Sequence, residues 1–355
     1  MKNTITKVLT LVLVLIVALS MVACGNSSTP GEKEGEGKGE EGSPVDISIA
    51  HNSTDVSPWE KGVQAGIKHL KEASDGKFNA TSYPGGTLFQ GNWEILLEMT
   101  QTNSIQIGVE AISALSSLNG DANFLCLPFM FQDNTHVDRF LNSGNKTWDN
   151  IISSFEDEDI IILGVAPRPM RQISNNLRPV NKLEDLKGLI LRSPANNTII
   201  ATMEALGIKA VPLSSGEIYS SIQLGTVNGE DNSLAQQYDA KTYEVIDHFT
   251  ILNYIADGSA MFMSKEAWDA CTKEEQAMFM EMGKMFANTT YAEDEAYFEV
   301  AKEAVTKSGV KITEMSNEEK ERCAEACSSV YDEFKKNFPE EKWNDVMSAV
   351  ESTKK

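Results

Sequence analysis

An α/β protein of two domains is what this sequence predicts, on three observations. Short apolar or alternating runs recur between segments of helical spacing from Val45 onward, the rhythm of β-α-β units. The stretch from about Val45 to Val350 is long enough for two domains of ordinary size. Arg192 closes a brief apolar strand, and open α/β sheets place their ligand crevices at the carboxyl ends of strands.

The elements follow in order. Val45 to Ala50 alternates as a half-buried strand, and Trp59, Val63, Ile67 and Leu70 then fall at helical spacing behind the start signal Ser57-Pro58. Phe78 to Tyr83 reads as a strand closed by Pro84-Gly85-Gly86. Trp93 to Met99 reads as a helix, Ile105 to Val109 as a strand and Ala111 to Leu118 as a short helix. Leu125 to Phe131 is apolar but broken by Pro128, which predicts a packing segment. Helices from Thr135 and Thr147 precede a strand from Ile160 to Ala166, and a second unit begins near Pro167.

That second unit holds Arg171 in a polar stretch, a turn from Leu183 to Gly188 and the strand Leu189-Ile190-Leu191 ending at Arg192. A helix on Ile199, Met203 and Leu206 follows, then a strand from Ile208 to Leu213 and a helix from Glu217 to Leu224. Gly229 to Asn232 reads as a corner at a strand end. Phe249 to Ile255 and Met261 to Met263 are strands returning toward the first unit. Glu274 to Ser308 is one long helical pattern, with Met278, Met282, Met285, Thr289, Ala292, Ala296 and Val300 at its core spacing, and it spans roughly 50 Å. Gly309 ends it, Val310 to Met315 is a strand, and Asn317 to Ala349 closes the chain in helices.

The first residues specify a compartment. Lys2 and Lys7, the apolar run Val8 to Val22 and the small-residue site Met21-Val22-Ala23-Cys24 resemble a bacterial lipoprotein signal, with residues 1–23 removed and Cys24 lipidated. Met21 departs from the usual leucine. The apolar run is shorter than the ~20 residues of a membrane span, so the chain is expected outside the cytoplasm, tethered to the membrane's outer face or periplasmic. Residues 24–44, rich in Gly and Glu, cannot bury an apolar face and read as a disordered linker.

With 52 acidic and 31 basic residues the chain carries −21, which excludes nucleic acid as a natural partner and offers no basic patch to anionic lipid. A local arginine can still hold an anion, because screening over ~8 Å hides the distant negative surface. Cys126, Cys271, Cys323 and Cys327 show no C-x-x-C. The four histidines lie far apart without ligand spacing, so free thiols, no metal and no cofactor are expected. Three S-x-x-K matches, at Ser74, Ser143 and Ser308, fall at helix-ending turns, whereas the serine hydrolases that use the motif need the serine at the start of a buried helix. Catalysis is not expected; a structural surface lipoprotein is the other alternative.

Arg192 reads as an anion clamp, since a guanidinium on a rigid element matches a carboxylate bidentately. His51, Asn52 and Asp55 follow the first strand and are expected to face the same crevice. Gln90 and Asn92 follow the Gly85-Gly86 turn and are expected at its rim, with helix capping as the alternative for Asn92.

The order R-Q-x-S-N at Arg171 to Asn175, D-L-K-G-L-x-L-R at Asp185 to Arg192, the run from Pro212 to Asn232 and K-T-Y-E-V at Lys241 to Val245 resemble the substrate-binding subunits of tripartite ATP-independent (TRAP) transporters, the DctP-type family. The resemblance implies a periplasmic-binding-protein-like clamshell with mixed sheets, two crossovers and a long helix bridging both lobes. The lobes are set at 45–167 with 258–297, and 168–257 with 298–350. It further implies an organic-acid ligand passed to membrane permease subunits by a monomer. Arg192 matches the arginine that pairs with the ligand carboxylate, Arg171 a second arginine, Asn232 a ligand contact and Glu110 a common cleft carboxylate. Ser215 stands where an aromatic often packs on the ligand, and Ser113 where sialate-binding members carry a further arginine. A sugar acid such as a uronate or aldonate is therefore expected, with a four-carbon dicarboxylate as the alternative.

Overall fold

A computed structural model describes residues 43–354 of the chain; the predicted leader, Cys24 and all but the last two residues of the linker lie outside the described residues. Nine strands form one mixed sheet: β1 (Val45–His51), β2 (Phe78–Tyr83), β3 (Ile107–Ala111), β4 (Ile160–Asn175), β5 (Ile190–Ser193), β6 (Lys209–Pro212), β7 (Gly229–Asn232), β8 (His248–Ser264) and β9 (Lys311–Glu314). Their order is β2-β1-β3-β8-β4-β7-β5-β6, with β9 on β8.

Two strands carry this sheet from one end to the other. β4 and β8, of 16 and 17 residues, pair antiparallel from Ile160↔Ser264 to Asn175↔His248. The later part of β8, Ser259 to Met263, takes β3 and through it β1 and β2. Its earlier part, His248 to Ile251, takes β9, while the later part of β4, Gln172 to Asn175, takes β7 and then β5 and β6. Two half-sheets thus share one pair of crossing strands.

The sequence ends a strand at Ala166 and splits β8 in two; the structure does neither. Pro167 and Pro169 lack the amide a regular ladder requires, yet β4 continues because its register slips between Arg168 and Arg171 and again before Ile173. Gly258 lies opposite Pro167, and a β-carbon there would stand 2.8 Å from Val165 and 2.9 Å from Ile112. That glycine marks tight packing inside a strand, not a chain reversal. Gly229 to Asn232, read as a corner, is a strand buried throughout.

The long helix, Lys273–Lys307, has the expected extent. Thr272 and Glu275 cap it reciprocally: the Thr272 hydroxyl accepts from the Glu275 amide at 3.3 Å, and the Glu275 carboxylate accepts from the Thr272 amide at 2.8 Å. Its buried face is not the expected one. Phe279, Met282, Gly283, Phe286, Thr290, Asp294, Tyr297, Ala301 and Val305 point inward, and only Met282 belongs to the predicted stripe. Met285 and Val300 are 38% and 51% exposed. The apolar pattern misleads because the true face mixes large rings with Gly, Thr and Asp where the helix meets the rest of the protein. Gly283 lies directly against Gly164 of β4: a β-carbon on Gly283 would stand 2.2 Å from the Leu163 carbonyl oxygen.

The closing helices include Glu340–Thr353, which packs on the helices Asn134–Leu141 and Lys146–Ser153. There His136 Nε2 lies 2.9 Å from the Val350 carbonyl, and the Thr147 hydroxyl donates to Asp345 at 2.6 Å. Cys126, Cys271, Cys323 and Cys327 are free. Among the described residues no helix is long and apolar enough to cross a membrane.

Replacing Gly283 by valine forces two backbones apart and is expected to cost about 3 kcal/mol in urea denaturation. Gly120→Ala, where a β-carbon meets nothing within 4 Å, is expected to stay within about 0.5 kcal/mol of the parent.

Candidate functional site

The carboxyl ends of β1, β3, β5 and β7 supply the polar side chains buried where the half-sheets adjoin. Arg192 is 3% exposed, and its Nε donates to the Leu213 carbonyl at 2.9 Å. Among the described residues no carboxylate comes within 4.0 Å of it, and Nη1 and Nη2 have no hydrogen-bond partner. Burial pushes its pKa down to about 10, against the pull of Glu230 and Asp231 and with the push of Arg171 and Arg168. A buried cation without a counter-ion is the arrangement an incoming anion relieves.

Arg171 differs sharply. Its Nε donates to Asp231 Oδ2 at 2.8 Å, Nη2 donates to the Asp231 carbonyl at 2.8 Å, and Nη1 lies 3.5 Å from Asp257 Oδ2. Burial alone would lower its pKa, but Asp231 and Asp257 outweigh burial and raise it. The Tyr254 hydroxyl donates to the other Asp231 oxygen at 2.6 Å. Arg171 therefore ties β4 to β7 and β8, with its guanidinium already occupied.

Arg168 is the arginine the sequence does not single out. Nη1 donates to Asp257 Oδ2 at 3.1 Å and Nη2 to Asn232 Oδ1 at 3.4 Å, while the guanidinium carbon lies 5.7 Å from the Trp59 ring centre. A charge between two prolines, directly after the apolar run Ile160 to Ala166, was the available signal. Asn232, 8% exposed, also donates from Nδ2 to Glu230 Oε2 at 3.2 Å. Glu230 is fully buried and accepts from the Thr242 hydroxyl; burial raises its pKa, opposed by Thr242 and Arg192. Glu110 accepts from Asn52 Nδ2 at 2.9 Å and from the Ala111 amide at 2.8 Å, and burial raises its pKa against those donors and Arg168.

The remaining expected residues are not all in this cluster. His51 is fully buried with Nε2 2.8 Å from Glu60 Oε2, its ring edge-on to Trp59, so it serves the packing of the helix Pro58–Ala73. Asp55 is exposed on the following loop. Asn92 caps the helix Trp93–Gln101, accepting from the Glu94 amide at 2.9 Å. Gln90 and Asn92 nonetheless line an open cavity of about 540 Å³, whose other wall is Pro212, Leu213, Ser214 and Glu217. Ser215 is half-buried in that same turn, next to the carbonyl that holds Arg192. Ser113 donates to Asp257 Oδ2 at 2.6 Å and so satisfies part of the aspartate shared by the two tied arginines.

Two half-sheets joined by crossing strands, with a buried arginine that has no counter-ion among the described residues, are the arrangement of a solute-binding protein. Residues 49–337 match the family described as bacterial extracellular solute-binding protein, family 7, DctP, and the chain belongs to that family. It is a substrate-binding protein of the TRAP type. The C4-dicarboxylate-binding protein DctB of Bacillus subtilis is 28% identical over 274 residues, 77% of each chain. The C4-dicarboxylate-binding periplasmic protein DctP of Vibrio cholerae is 24% identical over 94% of this chain and 95% of its own. Among solved structures, the sugar acid binding protein DctPAm of Advenella mimigardefordensis, in complex with galactonate, has a TM-score of 0.82 at 22% identity, covering 88% of this chain and all but 1% of its own. A TRAP periplasmic solute binding protein of Chromohalobacter salexigens with bound D-glucuronate has a TM-score of 0.80 at 19% identity over 87% of this chain and 100% of that one.

The two arginines predict unequal stability effects. Asp231→Ala leaves the Arg171 charge buried beside a lost partner and is expected to cost about 3–5 kcal/mol in urea denaturation. Arg192→Leu removes a buried, unpaired charge and is expected to change stability by no more than about 1 kcal/mol.

Proposed function

We propose that this protein captures a hydroxylated organic acid, a uronate or aldonate in class, and delivers it to membrane permease subunits. The observation that carries this is Arg192, whose two terminal nitrogens have neither a counter-ion nor a hydrogen-bond partner among the described residues. A carboxylate meeting Nη1 and Nη2 would gain two charge-assisted hydrogen bonds, together about 3–6 kcal/mol of the ~8 that micromolar binding requires. Glu110, Glu230, Asn52 and Asn232 supply acceptors and donors suited to sugar hydroxyls. The structural neighbours with bound galactonate and D-glucuronate support the sugar-acid class.

A C4 dicarboxylate is the second reading, favoured by the two relatives named for that activity. Arg168 would be the group facing a second carboxylate, once freed from Asn232. Gln90, Asn92 and Ser215 would line the approach, His51 would support the floor from behind, and Asp55 would stay at the rim. Arg171 acts by holding Asp231 and the neighbouring Asn232 in place.

Capture is by closure, the lobes 45–167 with 258–297 and 168–257 with 298–350 rotating about the crossing strands near Pro167 and Gly258. Binding drives closure only through contacts stronger in the closed form. The mature chain works as a monomeric binding protein without catalysis, anchored outside the cytoplasm through lipid on Cys24.

Thermal shift and calorimetry of the mature chain with D-glucuronate, D-galacturonate, galactonate, succinate and malate test the assignment. A sugar acid is expected to stabilise the protein, and Arg192→Ala to weaken it at least 100-fold. Retention of affinity within tenfold by that variant refutes the clamp, and stabilisation by succinate or malate alone moves the assignment to the dicarboxylate.

A further inference from the structure

Behind Arg168 lies a second, smaller cavity of about 10 Å³, walled by Ser53, Ser57 and Trp59 on one side, by Gln236 and Asp239 on another, and by Asp294 of the long helix. Three of its wall residues each carry a buried polar atom without a protein partner: Arg168 Nε, Asp239 Oδ2 and Asp294 Oδ2. The rest of Asp239 is well satisfied, since Oδ1 accepts from the Thr54 hydroxyl at 3.2 Å and from the Tyr297 hydroxyl. Asp294 is 8% exposed. Burial raises its pKa well above the usual carboxylate range, with Arg168 pulling it back.

The unmatched set is one guanidinium donor and two carboxyl oxygens. A water molecule is its complement: its oxygen accepts from Nε, and also from the Asp294 carboxyl while burial keeps a proton there, and its hydrogens go to the carboxyl oxygens free to accept, giving the three bonds typical of an internal water. A metal or ammonium cation fails this test, because neither can accept from Nε, and the Arg168 charge would repel it. An anion fails against two carboxylates. The cavity is also at the lower size limit, about 10–15 Å³, for a single water. Apolar filling would leave all three groups desolvated and unpartnered, which is unfavourable.

We propose that this chamber binds one internal water through Arg168, Asp239 and Asp294, and that this water holds the Arg168 guanidinium in register with Asn232. The wall comes from both sides of the seam, where Gln236 Nε2 also donates to Ser53 Oγ at 2.9 Å and Thr54 meets Asp239. The water therefore joins the long helix, β4 and the helix Leu234–Asp239. Arg168 is a positioning residue here: its Nε, buried without a protein partner, would meet the water while its Nη2 donates to Asn232. The charged and titratable groups facing Asp294 are Arg168 from β4, Asp239 from the helix Leu234–Asp239 and Tyr297 from its own helix. Asp133 and Glu295 stand on the outer side, where Asp294 also borders an open groove.

The test needs no organic acid, so its failure is separable from failure of the proposed function. Water magnetic relaxation dispersion on the mature chain counts long-lived internal waters, and the side-chain ¹⁵N–¹H resonance of Arg168 Nε, assigned by its disappearance in Arg168→Lys, reports whether that donor is engaged. Asp294→Leu fills the chamber with an apolar side chain: one fewer long-lived water and loss of the protected Nε signal are expected. Asp294→Asn keeps a carbonyl acceptor and is expected to retain both. An unchanged water count and unchanged Nε protection in Asp294→Leu overturn the site, as does loss of both in Asp294→Asn while far-ultraviolet circular dichroism stays native. A crystal structure whose chamber density sits among carboxylate oxygens at about 2.3–2.6 Å, the range of a hard cation, overturns it equally.

Discussion

Arg171, buried between Asp231 and Asp257, sets the geometry on which the rest depends. It reaches from β4 to β7 and β8, and a buried ion pair of this kind confers little net stability yet penalises any arrangement that parts it. Sliding β7 by one residue would flip Asp231 to the other face and strand the guanidinium. The register that avoids this also sets Asn232 opposite Gln172 and Glu230 beside Arg192. Tyr254 and Ser113 complete the aspartates' hydrogen bonds, so neither carboxylate retains a claim on a further cation.

The asymmetry in pairing among the three arginines follows from that arithmetic of charge. Asp231 and Asp257 serve Arg171 and Arg168; among the described residues Arg192, on the short strand β5, is left with a single carbonyl. A chain of net charge −21 thus presents a positive spot to a small acid. The surrounding surface charge acts over a screening length of only ~8 Å and does not cancel it. On the proposed function, long-range repulsion would slow the encounter of anion and protein, while affinity would be decided inside the seam, where the buried Arg192 guanidinium has no counter-ion among the described residues.

Arg192 was legible in the sequence because its cue is local: an apolar strand, its end, and a fork-shaped cation. Glu110 and Asn232 were named through the family resemblance, although they lie at the ends of β3 and β7 where the same rule applies. Arg168 was hidden by the error that also shortened β4. Proline ordinarily ends a ladder, so Pro167 closed the predicted strand, and the register slips that let the chain continue are tertiary facts with no local signature. His51 satisfied the strand-end rule yet turned to Glu60, a partner nine residues on whose approach is set by helix packing. The long helix failed in face and not in extent. Its ends are marked by Thr272 and Gly309, whereas its inward side carries Gly283, Thr290 and Asp294, which an apolar criterion discards.

On the proposed function, those same polar residues favour hydroxylated cargo over a bare dicarboxylate. A second carboxylate entering beside Arg192 would meet Glu110 and Glu230, whose burial already disfavours their own charge. A third negative group raises that cost further. A hydroxyl has no such conflict, since it donates to either carboxylate when ionised and accepts from it when protonated. Among the described residues the counterweight is Arg168, and to serve a ligand it would have to leave Asn232 while keeping Asp257. Selectivity is thus set less by the arginine that draws the acid in than by the carboxylates that decide what the rest of the molecule is allowed to be.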